Sequence, residues 1–275
     1  MELDGARVLL TGGSRGIGPF IARALLSRGA RVTLAARSAD DLEEVRHSIG
    51  SDRVATVAGD VTSEEDREAM VAGAEAAFGP TDVLVNNAGI EAILPFPEYT
   101  EDDIHALVAT NLDAPIQLCR LVVPGMLARG RGHLVNVASL AGKAPTPYNT
   151  VYAATKHGLI GFTYSLRAEL HGTGVSASAV CPAFVAEAGF VTAYTEPNVS
   201  RGLGTETSPR RVARAVVRAI ERDKPDVVVA GALPQFADVS LAISPRLTTF
   251  LARRLGGYDS LRREAQARAR RRDAR

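Results

Sequence analysis

RVLLTGGSRGIG, residues 7–18, decides the architecture. An aliphatic run, Arg7–Thr11, ends in a turn with glycines at 12, 13, 16 and 18, and an amphipathic stretch with Ile17, Ile21, Ala24 and Leu25 at helical spacing follows. A strand that feeds a helix through glycines presents free backbone amides and the positive end of a helix dipole, and the missing side chains let an anion approach the backbone. The spacing is G-x-x-x-G-x-G and lacks the Gly-Lys-Ser/Thr of a triphosphatase loop, so the turn over Gly12, Ser14, Arg15, Gly16, Ile17 and Gly18 is expected to hold a dinucleotide pyrophosphate.

Outward from this turn the alternation repeats. Arg7–Thr11, Arg31–Ala36, Arg53–Ala58, Asp82–Asn86, His133–Ala138, Gly174–Val180 and Asp226–Ala230 read as strands, most without strict polar alternation, as in parallel strands covered on both faces. Leu42, Val45 and Ile49, then Met70, Ala74, Ala77 and Phe78, carry helical spacing between them. Ser63 and the pair Ser208-Pro209 read as helix starts, and Gly29, Gly50 and Gly79 as helix ends. The expected fold is α/β: a Rossmann-type doubly wound, seven-stranded parallel sheet forming a single domain over residues 1–231, with a helical C-terminal extension over 232–275. The stretch 183–208 is too long for a plain connection and is expected to form a substrate lid.

Composition narrows the class. With 275 residues, 46% hydrophobic and 23% charged, the chain is neither disordered nor collagen-like. Its two cysteines, Cys119 and Cys181, lie far apart in apolar stretches, which excludes a disulfide framework and a clustered zinc site; no metal is expected. The N-terminus lacks a basic segment followed by a long apolar run, and no stretch of about 18 apolar residues occurs, so a cytoplasmic location is expected. The net charge of +1 is uneven. Residues 251–275 hold nine arginines against Asp259, Glu264 and Asp273, leaving a mildly acidic body, and nucleic acid is not an expected partner.

Sites that prefer NAD usually carry a carboxylate at the end of the second strand for the ribose 2′-OH. Here that place is Ala36, followed by Arg37, while Asp40 and Asp41 suit the start of the next helix. Arg15 and Arg37 could pair with a 2′-phosphate, so NADP(H) is expected over NAD(H). The alternative is that Arg37 is a surface arginine and either cofactor binds.

Tyr152-Ala-Ala-Thr-Lys156 is the most chemical feature. Positions i and i+4 share a helix face, so a phenol and an ammonium stand together, and a cation favours the phenolate of a group whose free pKa is about 10. Proton exchange near neutral pH becomes accessible. Ser139 stands at a strand's carboxyl end, where its hydroxyl could hold a substrate oxygen. Asn87, Ala88 and Gly89 suit a turn beneath a cofactor, and Asn111 is an amide inside the apolar helix around Ile104–Met126.

Taken together, TGGSRGIG (11–18), Asp60 in GDVT, NNAG (86–89), Asn111, Ser139 and YAATK (152–156) resemble, in order and spacing, a classical-type short-chain dehydrogenase/reductase over about residues 5–231. The resemblance implies an oxidoreductase that moves a hydride between a nicotinamide cofactor and a carbonyl or alcohol. It makes Tyr152 the general acid/base and gives Lys156 the nicotinamide ribose and the lowering of the tyrosine pKa. Ser139 would position the carbonyl, Asn111 would support a proton-relaying water, Asp60 and Val61 would contact adenine, and Asn87 to Gly89 would line the cofactor. Pro182 and Val185 are the expected contacts from the sixth strand's exit. There the family's Pro-Gly and later Thr are replaced by Pro182-Ala183 and Glu187, which puts the nicotinamide contacts of this loop in question.

Phe184, Val185, Phe190, Val191 and Tyr194, with Leu140, Pro145, Pro147 and Tyr148, suggest an apolar pocket and a lipophilic ketone or secondary alcohol as the small-molecule substrate. A homodimer or homotetramer is expected. The extension, with Leu247, Leu251, Leu255, Tyr258, Leu261 and Ala265 at helical spacing, has three readings: a core or dimer-packing element, a solvated helix, or a basic helix in peripheral contact with an anionic membrane. Two rival functions are a catalytically silent nucleotide-sensing protein of the same fold and a sugar-nucleotide epimerase. The complete Asn111, Ser139, Tyr152, Lys156 set weighs against the first, and the shortness of the extension against the second.

Overall fold

A computed structural model of the protein describes residues 1–185, 206–230, 244, 246, 250, 261–263 and 265–266. In chain order the elements are β1 (Arg7–Thr11), α1 (Gly18–Leu26), β2 (Arg31–Ala36), α2 (Ala39–Ile49), β3 (Val54–Ala58), α3 (Glu64–Phe78), β4 (Val83–Asn86), α4 (Glu101–Val108), α5 (Ala114–Arg129), β5 (Gly132–Val137), α6 (Thr150–Glu169), β6 (Val175–Pro182), β7 (Phe184–Val185), β8 (Glu206–Thr207), α7 (Pro209–Glu221) and β9 (Asp226–Val229). Seven of the strands form one parallel sheet in the order β3-β2-β1-β4-β5-β6-β9. The chain builds outward from β1 to β3, then returns to lay β4 on the other side of β1. Ligands bind outside the carboxyl ends of strands at such a reversal.

The strands are apolar without a break because both faces are covered. Val8 and Leu10 meet Ile21 and Leu25 of α1, Leu42 of α2 and Val212, Val216 and Ile220 of α7 in one core. Their neighbour Leu9 points the other way, with Leu84 and Leu134, into a core of Met70 and Ala74 from α3 and Leu118, Cys119, Val122 and Met126 from α5. Strand alternation is thus divided between two apolar layers rather than between core and water. Ser38, Ser63 and Thr100 cap α2, α3 and α4, each accepting a backbone N–H three residues on. Ser208 precedes α7 without a side-chain cap bond.

One feature differs from the sequence reading. The long helix across Ile104–Met126 is interrupted by a π turn, Ala109–Asp113, closed by a bond from Ala114 N to Ala109 O. Pro115 has no N–H to give the Asn111 carbonyl, which removes one α-helical bond at this point. The expected lid is described only at its ends, where β7 and β8 pair in parallel and pin Phe184 to Glu206 and Val185 to Thr207; Glu187, Phe190, Val191 and Tyr194 lie outside the described residues. Glu101–Arg129 is long and apolar enough to cross a membrane by composition, yet its Leu107, Leu118, Cys119, Val122 and Met126 are buried in the fold.

Candidate active site

The turn after β1 is packed so closely that side chains are excluded. Gly12 has φ 65°, and a Cβ there would stand 2.9 Å from both Ala88 Cα and Asn87 Nδ2. At Gly18 a Cβ would lie 2.1 Å from the Gly12 carbonyl oxygen, so the first turn of α1 rests directly on the glycine turn. The neighbouring NNAG segment is lashed to it. Thr11 Oγ1 accepts from the amides of Asn87 (3.0 Å) and Ala88 (3.1 Å), and Asn87 Nδ2 donates to the carbonyls of Thr11 and Gly12, each at 3.0 Å. Asn87 Oδ1 is buried without a partner among the described residues. A buried acceptor costs free energy unless a donor meets it, so this atom and the glycine cradle fit a bound dinucleotide with its own donors.

Arg15 and Arg37 are exposed at the rim of this cradle, Arg37 one residue past β2 and just before the cap Ser38. Asp60 Oδ1 is taken by the amide (2.9 Å) and hydroxyl (2.8 Å) of Thr62, and the carbonyl of buried Val61 accepts from Arg67 at 2.9 Å. These contacts fix the loop after β3 at the edge of the crevice.

Helix α6 carries Tyr152 and Lys156, both buried, one turn apart beneath the ends of β5 and β6. Lys156 Nζ donates to the Val137 carbonyl at 3.0 Å and lies 5.6 Å from the centre of the Tyr152 ring. Burial brings its pKa down to about 8. Burial also raises the Tyr152 pKa, as does the negative charge of Glu91, while the facing hydroxyl of Ser139 works in the opposite sense. Against the lowering expected of Lys156, the net direction in this structure is upward with burial the largest cause; the ammonium is held by the sheet, beside the ring rather than on the hydroxyl. A phenol protonated at neutral pH is the state a proton donor requires.

Asn111 is fully buried on the π turn. Its Oδ1 accepts from Ile90 N and its Nδ2 donates to Ile90 O, both at 2.9 Å, with a longer contact of 3.4 Å to Thr155 Oγ1. Thr155 in turn donates to Tyr152 O at 2.7 Å. The amide is therefore partnered, and it clamps the loop after β4 to the helix that bears Tyr152. Ser139 leaves β5 in extended conformation, with Oγ accepting from Ala141 N at 3.1 Å. Pro182 ends β6, Ala183 N donates to Val229 O at 3.0 Å, and Val185 is buried beside it. Among the described residues no three His, Cys, Asp or Glu side chains are grouped to hold a metal ion.

Sequence reasoning missed two parts of the site. Glu91 accepts from Asn149 Nδ2 at 2.5 Å, and Asn149 is the residue at which α6 begins. A chain of buried amides runs from Asn86 Nδ2 to Asn136 Oδ1 (2.9 Å) and from Asn136 Nδ2 to Thr163 Oγ1 (2.8 Å), joining β4, β5 and α6 under the site. Asn149 stands at a helix start but its side chain makes no cap bond there; the partners of Glu91, Asn86 and Asn136 lie too far along the chain for local pattern to show them.

A glycine cradle at the strand reversal, beside a buried tyrosine and lysine on one helix face, defines a dinucleotide-dependent oxidoreductase of the Rossmann class. Comparison with known proteins narrows this. The family described as short chain dehydrogenase matches residues 6–198. The chain is 42% identical over 229 residues to the ketoacyl reductase HetN of Nostoc sp., covering 82% of this chain and 79% of that one. Among solved structures it superposes on a point variant of actinorhodin polyketide ketoreductase with NADPH (TM-score 0.75, 32% identity, 83% and 97% of the two chains). It likewise superposes on a metagenomic short-chain oxidoreductase with NADP (TM-score 0.69, 34% identity, 83% and 98%). The protein belongs to the short-chain dehydrogenase/reductase family and is an NAD(P)-dependent oxidoreductase acting between CH–OH and C=O groups.

Proposed function

We propose that the protein is an NADP(H)-dependent carbonyl reductase acting on a hydrophobic ketone, or on the corresponding secondary alcohol in reverse. The observation that carries this reading is the placement of buried Tyr152 between the Ser139 hydroxyl and Lys156, at the strand ends next to the glycine cradle. The dinucleotide, when bound, supplies the hydride. Ser139 and Tyr152 hydrogen-bond the carbonyl oxygen, which polarises it and fixes its position. As the carbonyl carbon is reduced, Tyr152 Oη gives its proton to that oxygen, and the phenolate left behind is stabilised by the Lys156 ammonium. Lys156, held by the Val137 carbonyl, would hold the ribose of the bound cofactor. The Asn111 carbonyl, which loses an α-helical donor to Pro115, holds the water that returns the proton to Tyr152.

NADP(H) is favoured because Ala36 offers no carboxylate to repel a 2′-phosphate, while Arg15 and Arg37 stand exposed at the cradle's rim. Two solved relatives hold NADPH and NADP, which supports the same choice. Ketoreductases among the relatives support a ketone, and the partly buried Tyr148 and Phe184 offer it apolar surface. A cytoplasmic homo-oligomer completes the reading.

The test is a panel of aliphatic, steroid-like and acyl-type ketones with NADPH and NADH in parallel, repeated with Tyr152→Phe. Turnover should fall by about 10²–10⁴-fold in the variant with NADPH affinity retained. Undiminished turnover would refute the catalytic assignment, and better turnover with NADH would refute the cofactor assignment.

A further inference from the structure

Ser139 opens a tight turn that ends in a buried charge. Gly142 N donates to Ser139 O and Lys143 N to Leu140 O, each at 2.9 Å, while Ser139 Oγ accepts from Ala141 N at 3.1 Å. These bonds make residues 139–143 one unit. The unit lies against α6 with no space between: a Cβ on Gly142 would stand 2.7 Å from the carbonyl carbon and oxygen of Lys156 and from Ile160 Cδ1. A shift of the turn along α6 therefore moves the Ser139 hydroxyl, which faces Tyr152.

Lys143, at the far end of the turn, is only 7% exposed. Stripping an ammonium of water is costly unless an opposite charge and hydrogen bonds replace it. Its Nζ lies 2.8 Å from Asp226 Oδ2 at the start of β9, and it donates to the Tyr164 hydroxyl of α6 at 3.3 Å, 5.9 Å from the centre of that ring. Asp226 Oδ1 also accepts from Cys181 Sγ of β6 at 3.6 Å. The turn is thus pegged at one end to the edge strand of the sheet and to the middle of α6, and its other end is the serine of the candidate site. Desolvation offsets most of the attraction in such a pair, so two apolar side chains of similar bulk would hold the fold about as well, but without fixing one geometry.

We propose that Lys143 and Asp226 are positioning residues for the reduction: their ion pair holds the turn where the Ser139 hydroxyl meets the carbonyl oxygen beside Tyr152. They act through Ser139; proton transfer stays with Tyr152. The inference deepens the proposed carbonyl reductase and rests on it.

The test is a cycle of variants in the full-length protein. Lys143→Met is made in the wild type and again in Ser139→Ala, and single-turnover NADPH oxidation is followed with the ketone that the wild type reduces fastest. Lys143→Met should slow hydride transfer about 10–100-fold in the wild type, as a misplacement of about 1 Å can, but less than about twofold once Ser139 is replaced. Affinity for NADPH should stay within about twofold of wild type in both backgrounds. Equal slowing in the two backgrounds would make the pair a support of the fold at large and overturn the proposal, as would an undiminished rate in Lys143→Met.

Lys143→Met leaves the Asp226 carboxylate without its ammonium and can fail to fold, so a second variant separates stability from positioning. Lys143→Met/Asp226→Leu removes both charges, and its urea midpoint should return to that of the wild type while hydride transfer stays slow. Lys143→Arg, which keeps the charge, should retain more of the rate than either. Recovery of the rate together with the midpoint in the double variant overturns the proposal. Absence of ketone turnover in the wild type would refute the carbonyl-reductase reading and this one with it, whereas turnover with equal slowing in the two backgrounds refutes this one alone.

Discussion

Replacing Asn111 by Leu preserves the side chain's bulk and removes its polar atoms. In the native fold the amide satisfies both backbone groups of Ile90 at 2.9 Å and touches Thr155 Oγ1 at 3.4 Å. Each buried backbone group left without its partner costs about 1–3 kcal/mol. Ile90 is only half-buried, so water recovers part of that for its N–H and C=O, and the long Thr155 contact adds little. The expected loss is about 2–3 kcal/mol, or about 5–10 °C in melting temperature for a domain of this size. Urea unfolding at pH 7 reads it as a lower midpoint with an unchanged m-value. Activity should fall as well, because the clamp joins the loop after β4 to the helix that carries Tyr152, and a small misplacement of reacting groups can cost about 10²-fold. Unfolding within about 0.5 kcal/mol of wild type would refute the clamp.

Gly18→Ala places a methyl carbon 2.1 Å from the Gly12 carbonyl and must drive α1 off the turn; calorimetry should show NADPH binding weakened by about tenfold or more, and unchanged affinity would refute the close-approach argument. His133, buried against Ser178 Oγ at 2.8 Å, has its pKa lowered to about 4 by burial from the ordinary 6.5. Below pH 6.5 the unfolded chain takes up a proton that the folded chain refuses, so stability falls with pH down to about 4; His133→Gln should escape about 2.5 kcal/mol of the loss between pH 7.5 and 4.5, measured by paired urea titrations. Glu91→Gln removes a negative charge that raises the Tyr152 pKa, and the alkaline limb of the kcat profile should move to lower pH.

The sheet was legible because its cause is local. β1 and β2 run over the residues that their aliphatic runs mark, and β5 and β6 differ only at their ends. β6 reaches Pro182 because β9 supplies partners as far as Val229, a neighbour that no window around Val180 contains. Asp40 and Asp41 stand in the first turn of α2, as their place before its apolar spacing indicated. The polar contacts of the site were not legible. Ile90 and Asn111 lie 21 positions apart, and Glu91 and Asn149 lie 58 apart, so their pairing is fixed by sheet register and helix docking rather than by neighbouring residues. The seating of Leu261 and Ala265 on Ile93 is the extreme case: helical spacing showed an apolar stripe, but only the fold shows what the stripe covers.

Tyr152 and Lys156 show where spacing ends and environment begins. Their separation of four residues places both on one face of α6, and that much follows from helix geometry. It does not follow that the ammonium meets the hydroxyl. The carboxyl end of β5 presents the Val137 carbonyl to Lys156 Nζ at 3.0 Å, and that bond holds the charge beside the ring, 5.6 Å from its centre. The hydroxyl is faced instead by Ser139, from the same strand end. β5 therefore sorts the two side chains, holding Lys156 at the Val137 carbonyl and facing Tyr152 with the Ser139 hydroxyl. Burial then shifts both toward their neutral forms, so that the phenol keeps its proton at neutral pH, as the proposed proton donor requires.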